Sequence, residues 1–383
     1  MKELSRRVQS APKSKIRELF DLAAGRSDII SLGIGQPDFE TPEPAIQGTI
    51  EALKKNITTY APTRGVPELL ELLEDKLKNF NKISCDWKQN IIMGNGGSNA
   101  ITLAYATLFN PGDELILNSP NFVSYFYCGQ FFGIKVKEIE RNEDFSPNLD
   151  AMKKAISEKT KAILISSPNN PTGYALTPKE LEEIVDMASE HDLYLISDEV
   201  YENYVYDEVK HISPASLNGM FDRTITLNAM SKMFSATGFR LGYVCASEPI
   251  INLMEKYLQY TVAGTNHTAQ SGFIEALKMD PGFFDEILKS YDERRLLVYD
   301  RLKEMGFQVV KPRGAFYIMP SVKSFGMDGQ EFSKAIIQEQ GVAIVPGDIF
   351  GNYSQYRLRI SYATAKEKLE EAMDRIENFV KTL

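Results

Sequence analysis

The stretch Ser231-Lys232-Met233-Phe234-Ser235-Ala236-Thr237-Gly238-Phe239-Arg240-Leu241-Gly242-Tyr243 follows a strand-like run, Thr224-Ile225-Thr226-Leu227. A lysine among small and apolar residues just beyond such a run stands where burial lowers its pKa and favours the neutral amine. Upstream, Asp198-Glu199-Val200-Tyr201-Glu202 closes the apolar run Leu193-Tyr194-Leu195-Ile196-Ser197. Ser167-Pro168-Asn169-Asn170-Pro171-Thr172-Gly173 closes another, Lys161-Ala162-Ile163-Leu164-Ile165-Ser166. Short apolar runs bounded by turn signals are the pattern of strands buried on both faces of a parallel sheet. Further out, Ile91-Ile92-Met93 precedes a glycine-rich turn and an apolar helix over 100–108. Pro111-Gly112-Asp113 turns into the strand Glu114-Leu115-Ile116-Leu117, and a helix is predicted over 178–191 between two of the runs. The alternation predicts an α/β domain with a mostly parallel sheet. Ligands of such sheets gather at the carboxyl ends of strands, where these motifs fall.

The chain has 383 residues, more than one simple core accommodates, and suits two packed domains. Helices are predicted over 44–55 and 67–80, the second carrying Leu69, Leu70, Leu73 and Leu77 on one face. The C-terminal third changes character: a long charged helix near 280–306, the run Gly314-Ala315-Phe316-Tyr317-Ile318, the strand Arg357-Leu358-Arg359-Ile360-Ser361, and an amphipathic helix over 365–381. The expected organisation is an N-terminal segment, 1–40, packing on the small domain, a large domain over 41–285, and a smaller α+β domain over 286–383. A net charge of −9 and a pI near 5.2 argue against nucleic acid as a partner. Cys85, Cys128 and Cys245 form neither a metal pattern nor a disulfide framework and read as small apolar residues of a reducing compartment. The charged N-terminus has no apolar core of a signal peptide, and no run reaches the roughly 18 apolar residues of a membrane span. The expectation is a cytoplasmic protein with no membrane contact and no metal.

The residue types at the strand ends suit one cofactor. Lys232 can form an imine with an aldehyde and, once released, carry a proton. Asp198, a carboxylate ending an apolar strand, needs a charged partner, and a pyridinium nitrogen is one. Asn170, in a turn, and Tyr201, three residues beyond Asp198, can bond a ring hydroxyl. The turn Gly94-Asn95-Gly96-Gly97-Ser98 opens a helix whose free N–H groups suit an anion, with Ser98 adding a hydroxyl and Arg240 the countercharge. Phe122 can stack on a ring. Together these are the parts that hold and use pyridoxal 5′-phosphate.

These residues resemble the class I/II aminotransferases, fold type I of the pyridoxal-phosphate enzymes, and the pattern is similar to archaeal aromatic and aspartate members. The likeness spans nearly the whole chain, from Ser31-Leu32-Gly33-Ile34-Gly35-Gln36-Pro37-Asp38-Phe39 through Tyr60-Ala61-Pro62-Thr63-Arg64-Gly65 to Arg357-Leu358-Arg359-Ile360-Ser361-Tyr362-Ala363-Thr364. It implies Lys232 as the imine lysine, Asp198 on the ring nitrogen, Asn170 and Tyr201 on the ring hydroxyl, Gly96, Gly97, Ser98 and Arg240 around the phosphate, and Phe122 on the ring face. It further implies Arg359 as the fork for the substrate α-carboxylate, Gly35 and Asn170 beside the substrate, and Tyr60 reaching the phosphate of a neighbouring subunit, hence a homodimer with shared sites. The implied reaction moves the amino group of an L-amino acid, aromatic or aspartate, to a 2-oxo acid such as 2-oxoglutarate by a ping-pong route.

The chain departs from the family pattern at four positions, the change at Phe239 being harmless. Ala229 stands where glycine or serine is frequent, and Phe239 where tryptophan is. Ser98 takes the place of a lysine that binds a distal carboxylate in many aspartate-specific members. Arg64, beside the Tyr60 loop, is the expected substitute contact for that carboxylate across the dimer. Two other readings use the same cofactor site: a C–S β-lyase, and a non-catalytic regulator, the latter disfavoured by the acidic chain and the lack of a DNA-binding module before Ser31.

Overall fold

The computed structural model describes residues 2–11, 28–217 and 219–383. Twelve strands occur among them: β1 (Ile30–Ser31), β2 (Ile91–Gly94), β3 (Glu114–Ser119), β4 (Lys135–Glu140), β5 (Thr160–Ser166), β6 (Tyr194–Asp198), β7 (Thr224–Ala229), β8 (Gly242–Cys245), β9 (Tyr317–Ile318), β10 (Val342–Ala343), β11 (Val345–Pro346) and β12 (Leu358–Ser361). Seven form one sheet in the order β2-β8-β7-β6-β5-β3-β4. Only β8 runs against the rest, pairing antiparallel with β2 and β7; the other pairings are parallel.

Both faces of this sheet are buried, so its strands read as unbroken apolar runs. Alternate residues still go to opposite sides. Ala162, Leu164 and Ile196 join a core with the helices Gly96–Leu108 and Glu248–Thr261. Ile163, Ile165 and Leu195 join another with the helix Pro178–Glu190. That helix starts at a capping box, in which Thr177 Oγ1 accepts from the Glu180 N–H and the Glu180 carboxylate accepts from the Thr177 N–H at 2.8 Å. Leu181, Ile184, Val185 and Ala188 form its buried stripe.

The C-terminal third has its own core, centred on Tyr291, Phe316, Phe332, Ile336 and Phe379, with a three-stranded antiparallel sheet, β11-β12-β9. The expected helices are present as Phe283–Glu304 and Lys366–Val380. An expected boundary at 285/286 thus falls inside the first turn of a continuous helix. Phe283 there packs against both the large-sheet core and the C-terminal core.

The N-terminal segment divides. β1 pairs in parallel with β10, and the Ser361 N–H donates to the Leu32 carbonyl at 2.7 Å, so this part lies on the C-terminal core. Residues 6–10 instead meet the helix Val123–Phe132, where Arg7 donates to the Phe131 carbonyl at 3.1 Å and Gln130 to Ser10 Oγ at 2.6 Å. The rest of the segment, apart from these stretches, lies partly outside the described residues.

Two helices differ from the sequence expectation in ways that matter. The helix over 67–80 is α-helical only to Lys76 and finishes in a widened π turn, Leu77–Asn81. That turn carries the Asn81 amide to the buried Glu202 at 2.7 Å and to Ser213 at 2.7 Å. The apolar helix begins at Gly96 rather than Ala100, so Gly96-Gly97-Ser98 is its first turn, where backbone N–H groups lack helical partners. Among the described residues no helix is long and apolar enough to cross a membrane.

Candidate active site

At the carboxyl ends of the central strands lies a cleft of about 400 Å³, walled by Gly35, Gly97, Ser98, Phe122, Asn170, Asp198, Tyr201, Lys232, Arg240 and Arg359 among others. These residues come from positions 35 to 359, brought together because β6, β7 and the turns after β2, β3 and β5 all end on this side. Asp198 is the last residue of β6, and Lys232 sits in the short helix Met230–Met233 directly after β7. Arg359 lies in β12, the C-terminal sheet's contribution.

Lys232 Nζ donates to the Gly35 carbonyl and hangs 5.9 Å from the ring centres of both Tyr201 and Phe316. Burial, aided by the charges of Arg359 and Arg240, pushes its ammonium down to about 8. Asp198 is pushed up to about 6 by burial, against the hydrogen bond that Tyr125 Oη donates to its Oδ2 at 2.6 Å and the one from the Val200 N–H at 3.2 Å. A buried carboxylate held this way is stabilised by a cationic neighbour.

Arg359 is buried and has no carboxylate partner among the described residues. Its Nη1 donates to Asn170 Oδ1 at 3.2 Å, its Nη2 to the Gly33 carbonyl at 2.6 Å, and its Nε has no partner at all. Burial lowers its pKa from the usual guanidinium value. Arg240 adopts a left-handed backbone, φ 55°, and donates to the Thr237 carbonyl at 2.9 Å. Gly96, also left-handed at φ 75°, backs that guanidinium: a Cβ there would lie 2.7 Å from Arg240 Nη2. Gly96 therefore shapes the anion cradle from behind, while Gly97 and Ser98 face the cleft.

Two residues expected to act across a dimer lie outside this cleft. Tyr60 does not line the cleft of its own chain and is 88 % exposed. Arg64 is committed within its own chain, bonding Glu255 at 2.6 Å, the Lys88 carbonyl at 2.6 Å and Asn252 at 2.5 Å. Its charge is thereby matched, which removes the reason to expect it on a substrate carboxylate. Arg64→Ala should leave the ratio of Michaelis constants for acidic and aromatic donors unchanged and lower the melting temperature instead; steady-state kinetics on both donor classes checks this.

Sequence reasoning assigned no role to two residues that the cleft contains. Tyr125, buried, is the donor to Asp198. Tyr317 accepts or donates a 2.8 Å hydrogen bond with Tyr201, and its ring lies 4.7 Å from the Arg359 guanidinium. Its hydroxyl also abuts Gly35, where a Cβ would approach to 2.7 Å. The Tyr201 hydroxyl expected on a ring hydroxyl is thus held by Tyr317. The signal for Tyr125 was its place one helical turn after Phe122; nothing local marked Tyr317.

Residues 27–376 match the family model for aminotransferase class I and II. The chain is 47 % identical to the aspartate aminotransferase of Pyrococcus abyssi, covering 99 % of this chain and 98 % of the relative. It is 46 % identical to aromatic-amino-acid aminotransferase 2 of Thermococcus litoralis over the same shares, 99 % and 98 %. Among solved structures, the aromatic aminotransferase of Pyrococcus horikoshii superposes with a TM-score of 0.91 at 44 % identity, covering 96 % of this chain and 99 % of that one. An amine-bearing lysine and two uncompensated arginines at the mouth of a fold type I sheet agree with these likenesses, and the chain belongs to the class I and II aminotransferases.

Proposed function

We propose that the cleft holds pyridoxal 5′-phosphate and moves the amino group of an L-amino acid to a 2-oxo acid. The observation that carries this is the convergence of Lys232, Asp198, Arg240 and Arg359 on one cavity, two of them buried charges without a countercharge. The residues fit the cofactor at three points. The Gly96–Ser98 turn and Arg240 suit its phosphate, Asp198 its ring nitrogen, and Lys232 its aldehyde. When bound, its ring supplies a sink for the electron pair left at the substrate α-carbon.

The chain's own groups do the remaining work. Arg359 grips the α-carboxylate through a two-bond fork and so aims the α-carbon. Lys232 Nζ, with its pKa near 8, holds an appreciable neutral fraction near neutral pH and takes up the α-proton. Tyr125 keeps Asp198 oriented. Asn170 and Tyr201 would hold the ring hydroxyl, Phe122 would cover the ring face, and Gly35 would allow close approach of the substrate.

The apolar part of the cleft wall open to a donor side chain is Ile34, Ile101 and Phe122. Among the described residues the cations of this wall are Lys232, Arg240 and Arg359, each already assigned. A second substrate carboxylate is left to neutral donors such as Ser98 and Gln36 and to solvent. Aromatic donors are therefore favoured over aspartate, with 2-oxoglutarate tolerated as acceptor. A panel of donors followed through the first half-reaction, where the acceptor cancels, should show phenylalanine and tyrosine ahead of aspartate in kcat/KM by about tenfold or more, the cost of one missing charge-assisted bond. Equal or better use of aspartate would reject the apolar-pocket reading. Ammonia and pyruvate released without acceptor would instead mark a C–S β-lyase.

The protein acts as a homodimer in this proposal. Tyr60 and Tyr260 are 88 % and 84 % exposed. They flank segments that brace one another, with Thr268 donating to the Ile57 carbonyl at 3.0 Å. Large exposed rings on a braced surface suit a self-complementary interface, across which Tyr60 reaches the neighbouring phosphate. A cytoplasmic site of action belongs to the same proposal.

A further inference from the structure

Buried or half-buried arginines are ordinarily matched by carboxylates, because an uncompensated charge out of water is costly. Most arginines here obey this: Arg64, Arg294, Arg295 and Arg301 all have acidic partners. Among the described residues Arg359, which is buried, and Arg240, which is exposed at the cleft mouth, form no ion pair, and both are assigned to anions in the proposed active site. The same signature recurs away from it. Arg141 and Arg357, both half-buried, line one cleft of about 260 Å³ between the large-sheet core and the C-terminal core, and among the described residues neither forms an ion pair with a carboxylate.

The two guanidiniums are held in place while keeping donors to spare. Arg141 donates to the Phe145 carbonyl at 2.9 Å and weakly to the Pro120 carbonyl at 3.4 Å. Arg357 stacks on the Phe145 ring at 4.5 Å and donates to the Met319 carbonyl at 3.3 Å. Each guanidinium has five N–H groups, so most remain unused. Burial pushes Arg141 down to about 10 and lowers Arg357 as well, the latter opposed by Glu143. A third cation, Lys323, with no acidic partner among the described residues, lines the same cleft, where its Nζ lies 5.8 Å from the Tyr356 ring centre. The Ser119 hydroxyl, fully buried, also lines it and has no hydrogen-bond partner. Two carboxylates, Glu140 and Glu143, belong to exposed residues of the wall and leave the three cations in excess.

We propose that this interdomain cleft is a binding site for a small doubly charged oxyanion, a phosphate group, gripped by Arg141 and Arg357 with Lys323 at its edge. The site is distinct from the catalytic cleft but touches two of its supports. Pro120 is two residues from Phe122, and Arg357 is two residues from Arg359. An anion bridging Arg141 and Arg357 ties the sheet that carries Phe122 to the strand that carries Arg359.

The test is calorimetric titration of the holoenzyme with inorganic phosphate at constant ionic strength. The expected result is saturable binding at one site per chain, weakened about ten- to hundredfold in Arg141→Gln and in Arg357→Gln, the loss of one charge-assisted contact. Arg359→Gln should keep the affinity, since its site is separate. Should both neutral variants fold poorly, Lys323→Gln at the exposed edge should still weaken binding severalfold. A parallel titration with glycerol 3-phosphate separates the sources: equal affinity indicates the free ion, and tighter binding indicates the terminal group of a metabolite. No saturable binding by the wild type overturns the site, as does unchanged affinity in the Arg141 and Arg357 variants. So does loss of binding confined to Arg359→Gln.

Discussion

Lys232→Ala should lower turnover by at least about 10⁴-fold, because one atom, Nζ, serves as both the covalent anchor and the proton carrier. The absorbance of the holoenzyme near the visible edge should vanish with it. Retained multiple turnovers would contradict the assigned role. The same substitution should not weaken the fold of the cofactor-free protein. Nζ there bonds one carbonyl and otherwise faces the rings of Tyr201 and Phe316, with Arg359 and Arg240 adding repulsion. Its folded pKa, near 8, lies below the ordinary lysine value of 10.5. Between those values the unfolded chain binds the extra proton, so the native state gains stability as pH rises. Below about 8 the penalty of the buried charge is complete. Melting temperatures of the two cofactor-free proteins should therefore differ most at pH 7, with the variant higher, and converge toward pH 10.

Arg359→Gln should cost about 10²- to 10³-fold in kcat/KM for every donor, as expected when a two-bond charged clamp is lost. Stopped-flow measurement of the donor half-reaction checks this, and an equal loss for aromatic and acidic donors identifies the α-carboxylate as what the arginine holds. A loss confined to acidic donors would place Arg359 on the distal carboxylate instead. Stability should move the other way or hardly at all. The guanidinium is buried without a countercharge, one of its nitrogens lacks any partner, and burial lowers its pKa. Removing such a group relieves desolvation that only a bound carboxylate offsets. The free protein thus carries an unsatisfied charge whose purpose appears on binding.

The strands β5, β6 and β7 and the large helices were legible because burial on both faces leaves a continuous apolar run, and a helical stripe leaves its own period. Lys232 and Asp198 stood out for the opposite reason: a charged residue at the end of such a run contradicts its surroundings unless it has a task. Boundaries were less so. The widened turn after Lys76 exists because Asn81 answers Glu202, a residue 121 positions away, and no local pattern records that demand. Arg64 shows the same limit. Its position beside the Tyr60 loop suggested a substrate contact, yet Glu255 and Asn252 claim it.

From its residues alone this chain declared a wound, mostly parallel sheet with a lysine and an aspartate at its carboxyl edge. Periodicity and charge against context are local properties, written in consecutive residues. Only folding decided that Tyr125 orients Asp198, that Tyr317 joins Tyr201 to Arg359, and that Arg141 and Arg357 share one cleft with no ion-pair partner among the described residues. Each of these depends on contacts between residues far apart in the chain, whose distances are set by how the sheet and the C-terminal core pack.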